Sequence, residues 1–144
     1  MHINMNKFRI YDTINKTYID INDYDKWCID CDGHLLQFVY NDNRGLFDIK
    51  MREDCVVEWN SGYIDHRGHQ IYEGDVFIDE NNYVMLVLWY ENMWTLHIYG
   101  WTENDVWENI DILPMDDFEF DDLIIKGDYH TLGDTVYKGK DLDI

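Results

Sequence analysis

The chain has 144 residues, 46% of them hydrophobic, and thirty acids against eleven bases give a net charge of −19. That length suits a real core without disulfide or metal staples, and the apolar content excludes a disordered acidic tail. The charge repels nucleic acid and anionic membranes and favours basic partners, and no run of about eighteen apolar residues marks a membrane span.

Six Trp, eleven Tyr and six Phe lean the composition towards sheet and supply material for contact surfaces. Lys7–Tyr11 alternates as a strand, Asp12–Lys16 is a polar turn, and Thr17–Ile21 resumes the β-rich pattern. Asp32-Gly33 predicts a hairpin between Trp27–Cys31 and Leu35–Tyr40. Asn41–Gly45 turns the chain before Leu46–Lys50 and Cys55–Trp59. Ser61-Gly62 and Arg67-Gly68 punctuate a loop, which places a boundary between a region 1–60 and a region 61–144 within one compact unit.

Ile71–Ile78 opens the second region around Gly74, and Asn81-Asn82 leads into Tyr83–Tyr90, apolar almost throughout and suited to cover on both faces. Glu91-Asn92 turns into Trp94–Tyr99. Thr102, with Asp105 three residues on, resembles a helix N-cap, so a short helix ending near Pro114 would put Val106, Ile110 and Leu113 on one face. Leu123–Tyr129 reads as a last strand. Short strands with tight turns predict a small barrel here.

From Glu103 to Asp122 there are nine acids and no Lys or Arg. If Asp116–Asp122 is extended, Asp117, Glu119 and Asp121 line one face while Phe118 and Phe120 anchor the other. With Glu103, Asp105, Glu108, Asp111, Asp116 and Asp122 they make a candidate partner-binding row that imitates a phosphate backbone. The plainer reading is a solvated face that keeps an aromatic-rich chain soluble.

Ser61-Gly62, Asp65, Gly68 and Ile71-Tyr72-Glu73-Gly74-Asp75-Val76 resemble the signature of YopX-like proteins of phages and prophages. Lys7-Phe8-Arg9 with Tyr11-Asp12 is similar to that family's opening Lys-Phe-Arg-Ala-Trp-Asp, and Ile125–His130 to its closing Val-Ile-Gly-Asn-Ile-Tyr. Tyr11 stands where the family tends to Trp, and Thr131-Leu132-Gly133-Asp134 replaces the usual Asn-Pro-Glu-Leu. The resemblance implies an α+β, mostly β fold: an irregular α+β N-terminal region, then an SH3-like barrel. It implies a mobile-element origin and no catalytic residues. The Glu-Gly-Asp signature has a structural explanation, since Gly74 permits a turn and flanking carboxylates accept backbone N–H bonds.

Cys28-x-x-Cys31 with His66-x-x-His69 would supply four zinc ligands, but the histidine gap is tight and an i,i+3 cysteine pair on a strand points to opposite faces. No metal or cofactor is therefore expected. Cys55 reads as a core residue. Ser61 and His66 lack a nucleophile elbow, and Gly62, Gly68 and Gly74 lie too far apart to cradle a phosphate. Direct nucleic-acid binding would need Lys7, Arg9, Lys50 and Arg52 to cluster. Residues 1–10 carry no apolar stretch of a secretory signal, and three cysteines cannot all pair, so the host bacterial cytoplasm is the expected setting.

The expected function is inhibition by binding, not catalysis. The expected partner is a host protein with a basic groove, of the nuclease or CRISPR-effector class. No direct nucleic-acid or membrane partner is expected, and homo-oligomerisation is compatible with this reading. The alternative is a self-assembling structural or scaffolding phage protein without inhibitory activity.

Overall fold

The computed structural model describes residues 7–21, 26–120 and 122–142. The fold is mostly β, and its chain contacts divide into two compact units, Asn6–Glu58 and Trp59–Ile144. No helix among the described residues is long and apolar enough to cross a membrane.

In the first unit, β1 (Phe8–Asp12) pairs antiparallel with β2 (Thr17–Ile19) and neighbours β6 (Cys55–Ile64). A second sheet runs β3 (Trp27–Ile29), β4 (Leu35–Asn41), β5 (Leu46–Met51), with β5 at an edge. Phe8, Ile10, Ile21, Trp27 and Leu35 form the buried cluster, with Cys55 and Val57 packed against it. Strand alternation commits the Trp27/Leu35 face to that cluster. The opposite face takes Leu36, Phe38 and Tyr40 from β4 and Met51, Ile49 and Phe47 opposite them on β5.

The second unit begins within β6, where Gly62 (φ +85°) marks a register shift between Asn60 and Ile64 in the pairing with β7 (Gln70–Tyr72). The expected loop at Ser61-Gly62 is thus a bulge inside a strand. A curled five-stranded antiparallel sheet follows in the order β11-β10-β9-β8-β12: β8 (Asp75–Ile78), β9 (Val84–Tyr90), β10 (Met93–Trp101), β11 (Trp107–Pro114) and β12 (Gly127–Asp128). As its apolar run predicts, β9 is covered on both faces over Val84–Val87, while Trp89 and Tyr90 at its far end are exposed. Met85 and Val87 join Phe77, Leu96, Met115 and Phe120 in one cluster, while Val84 and Leu86 join Val76 and Val136 in another. Val136 comes from α1 (Gly133–Lys138), which has no counterpart among the predicted elements.

Four hairpin loops share one design. In the loops starting at Asp30, Asp65, Asp79 and Thr102, the first residue donates its backbone N–H to the carbonyl of the residue four on, and its own carbonyl accepts the N–H of the residue three on. That third position is left-handed: Gly33, Gly68, Asn82 (φ 62°) and Asp105 (φ 58°). The side-chain oxygen of each Asp accepts the N–H groups two and four residues on, at 2.8–3.0 Å. Thr102 Oγ1 accepts the Val106 N–H at 3.2 Å. This is a type I turn closed by a left-handed bulge.

The fourth loop corrects the expected helix. A side-chain acceptor facing nearby N–H groups serves an N-cap and this turn equally, but a left-handed residue at Asp105 reverses the chain, and Trp107–Pro114 emerges as a strand. The acidic tract is not an extended strand either. Met115–Asp117 is a 3-10 turn whose Met115 is fully buried, and Phe120 is buried beyond it. Of the expected final strand Leu123–Tyr129, only Gly127–Asp128 pairs in a sheet.

Candidate functional site

Eight of the nine predicted acids are described, and all eight are exposed; Asp121 lies outside the described residues. Glu103 and Asp105 occupy the β10–β11 turn. Glu108 stands on the edge strand β11 opposite Gly100, and Asp111 lies three residues further on. Asp116 accepts a hydrogen bond from the Tyr63 hydroxyl, and Asp117 shares its 3-10 turn. Among the described residues none of the eight forms an ion pair.

These acids do not form a single row. Asp111, Glu119 and Asp122 are brought together around one groove of about 630 Å³. Its lining includes the buried Met85 and the half-buried Ile98, Phe118 and Leu123. The exposed Glu80 adds a further carboxylate, and Lys126 is the only cation of the lining among the described residues. Asp79 also lines the groove, with its Oδ1 committed to the N–H groups of Asn81 and Tyr83. An apolar floor under carboxylates suits an amphipathic cationic chain: methylenes of Lys or Arg cover the floor while their heads meet the rim.

The wall depends on Gly100. A Cβ there would stand 2.8 Å from the Tyr83 ring and 3.3 Å from Ile110 Cδ1, and both side chains line the groove. The opposite wall is held by Asp65, whose Oδ2 accepts the Ile125 N–H at 3.1 Å, and by the His66 N–H donating to the Leu123 carbonyl at 2.9 Å. Burial pushes the Asp65 carboxyl up, but its bonds from the Ile125, His69 and Arg67 N–H groups outweigh this and hold it below its ordinary value.

Sequence reasoning missed Glu80, Asp79 and Lys126. Asn81-Asn82 marks a turn, but nothing local tells that this turn lies beside residues 118–124. Exposed aromatics lie elsewhere in the same unit: Trp89 against Trp94 near the β9–β10 turn, and Trp101 against Trp107 flanking the β10–β11 turn, each with ring centroids 5.4 Å apart.

The Glu-Gly-Asp signature serves the fold. Gly74 (φ +90°) donates to the Val87 carbonyl and accepts from the Tyr129 N–H, while buried Asp75 accepts the Tyr72 N–H at 2.8 Å. The Glu-Gly-Asp signature therefore locks the start of β8. Cys28 is half-buried on β3 and Cys31 is exposed in the following turn, while His66 and His69 are exposed in the β6–β7 loop. Burial pushes the Cys55 thiol up, away from the reactive thiolate. Asp30, Asp32 and His34 have ligand atoms within 4.8 Å of one another, but Asp30 already accepts the backbone N–H groups of Asp32 and His34.

The YopX protein family matches residues 7–122. Among solved structures, protein yopX from Bacillus subtilis aligns with a TM-score of 0.54 at 14% identity, covering 95% of this chain and 98% of that one. Protein EF1440 from Enterococcus faecalis aligns with a TM-score of 0.43 at 16% identity, covering 90% and 96%. No curated protein sequence matches the chain. The first structural likeness is one of fold, and the family match spans most of the chain, including the Glu-Gly-Asp lock at β8. The chain belongs to the YopX protein family.

Proposed function

We propose that this chain is a phage or prophage accessory protein that binds and inhibits a host protein acting on nucleic acid, and that it is not an enzyme. The observation that carries the reading is the groove: Asp111, Glu119, Asp122 and Glu80 around an apolar floor, with no ion pair to any of them among the described residues. Carboxylates left unpaired in a chain of net charge −19 steer a basic surface at long range and meet its Lys and Arg side chains on contact. The basic groove of a nuclease or CRISPR effector, built to hold phosphates, is the surface of matching chemistry. Glu103, Asp105 and Glu108 extend the negative field along the β10–β11 hairpin, and Trp101 and Trp89 supply contact area. The finer fold class accompanying this reading is an SH3-like barrel for the second unit, supported by the return of β12 to pair with β8. The host cytoplasm is the setting that goes with such a target.

The test uses the immobilised full chain beside the variant Asp111→Asn/Glu119→Gln/Asp122→Asn in host lysate, followed by mass spectrometry and by association rates of the captured protein. The parent should capture a nucleic-acid-acting protein whose activity it blocks. The variant should bind it about a hundredfold more weakly, as losing a few kcal/mol of interfacial charge contacts requires. Association should slow steeply as salt rises. Equal capture by both chains, or a rate indifferent to salt, would remove the groove from the interface.

A further inference from the structure

We infer that this protein pairs with a second copy of itself through the exposed edge of β5, in one antiparallel register fixed by Asp48 and Lys50. The strand reads Leu46-Phe47-Asp48-Ile49-Lys50-Met51 and is an edge of its sheet among the described residues. Phe47, Ile49 and Met51 are 57%, 61% and 49% exposed, and they belong to the face turned away from the buried cluster. A long apolar edge of this kind is one that natural proteins cover or blunt.

The ladder determines which backbone groups are free. Arg52 donates its N–H to the carbonyl of Leu35, its register partner, so Leu35 and Arg52 are a hydrogen-bonded pair. Hydrogen-bonded pairs alternate in an antiparallel ladder, so Lys50 and Asp48 turn their backbone groups towards β4. The N–H and C=O groups of Phe47, Ile49 and Met51 point outward. A two-fold pairing of β5 with its copy must therefore match odd residues with odd residues.

Charge selects among the possible registers. Centring the two-fold on position 48 sets Asp48 against Asp48 of the other copy, and centring it on 50 sets Lys50 against Lys50. Centring it on Ile49 sets Asp48 opposite Lys50 twice, Phe47 opposite Met51 twice, and Ile49 opposite itself. Every outward backbone group of these three residues then exchanges hydrogen bonds with the other copy. Like charges directly opposite destabilise and opposite charges stabilise a cross-strand pair. The segment is thus self-complementary in the way an isologous interface requires, which an unrelated partner would not explain. Lys50 has no ion pair among the described residues, and Asp48, which holds Arg44 at 2.9 Å, is the opposite charge that meets it.

Sedimentation velocity of the full chain tests this, with circular dichroism confirming that each variant is folded. The parent should be a dimer at tens of micromolar. Lys50→Asp should weaken the dimer about tenfold or more, since both symmetric pairs turn from attraction to repulsion. The swap Asp48→Lys/Lys50→Asp should restore it. In a separate arm, Ile49→Cys sets two thiols opposite each other at a hydrogen-bonded pair, where the Cα separation of about 5.5 Å suits a disulfide. Mild oxidation in a Cys31→Ser background, which removes the exposed native thiol, should then give a covalent dimer that the Cys31→Ser chain without the Ile49→Cys change does not form. A parent that is monomeric at hundreds of micromolar, a folded Lys50→Asp variant that dimerises as well as the parent, a folded swap that stays dissociated, or no cross-link through Ile49→Cys would each overturn the proposal.

Discussion

Replacing Asp65 by Asn tests how the groove is held. Oδ1 accepts the Arg67 and His69 N–H groups at 2.9 and 2.8 Å, and Oδ2 alone accepts the Ile125 N–H. An amide carbonyl can still serve the turn, but the amide nitrogen then confronts the Ile125 N–H, donor against donor. The side chain is fully buried, so that N–H loses a charge-assisted bond and finds no water in exchange. The cost is about 2–3 kcal/mol, one charged hydrogen bond together with the desolvation of its orphaned partner. Urea denaturation should show a lower midpoint at unchanged slope, and hydrogen exchange should accelerate at Ile125 before the sheet opens. The pH dependence has a definite sign. The folded carboxyl lies below its ordinary value, so its contribution is complete above the unfolded pKa and is lost as pH falls through the folded one. The Asn variant should lack that part of the acid loss. A variant within about 0.5 kcal/mol of the parent, the range of ordinary surface changes, with Ile125 exchange unaltered, would refute the clasp.

Three further predictions rest on equally local geometry. His97 is buried with an unpartnered Nε2, and burial lowers its pKa, so the parent should lose stability as pH falls below about 6.5. His97→Phe should flatten that limb and add about 1–2 kcal/mol near neutrality, and parallel melting profiles would count against it. Asp105→Gly should stabilise by about 1 kcal/mol in thermal melts because residue 105 is left-handed, whereas in a helix the same change would destabilise. Gly139→Ala should cost more than about 2 kcal/mol, since the residue caps α1 at φ +66° and a Cβ would stand 2.5 Å from the Trp107 ring; denaturation within error of the parent would contradict the packing.

Much of the sheet was legible because its signals are local. Gly33, Gly45 and Asn82 punctuate the chain between β-rich runs, and the unbroken apolar character of β9 announced cover on both sides. The misreadings share a physical cause. Thr102 offers the same hydroxyl to a helix N-cap and to a bulged turn, and only the backbone sign at Asp105 separates them. Phe118 and Phe120 flank Glu119 in a strand-like alternation, yet the burial of Met115 draws the preceding residues into a 3-10 turn. The groove was legible in part. Glu119 and Asp122 could be singled out as members of an uncompensated acidic run, but Glu80 joins them only through tertiary packing.

The acidity itself divides into two populations, and the division explains how a chain of net charge −19 folds. Asp12, Asp30, Asp65, Asp75, Asp79 and Asp128 each accept one or more backbone N–H groups, so their charge is spent on closing turns. These carboxylates stabilise the fold and have no reason to meet a partner. The acids of Glu103–Asp122 are different. All that are described are exposed, and among them only Asp116, from the Tyr63 hydroxyl, and Asp111, from the Ile112 N–H, accept a hydrogen bond at the carboxylate from a described residue. Their mutual repulsion costs little in water at physiological salt, where the screening length is about 8 Å, and it would be relieved against a basic surface. Net charge alone thus overstates the signal. What distinguishes this segment is that most of its described carboxylates bond to nothing in the fold, and that three of them, Asp111, Glu119 and Asp122, converge on the groove with an apolar floor described above.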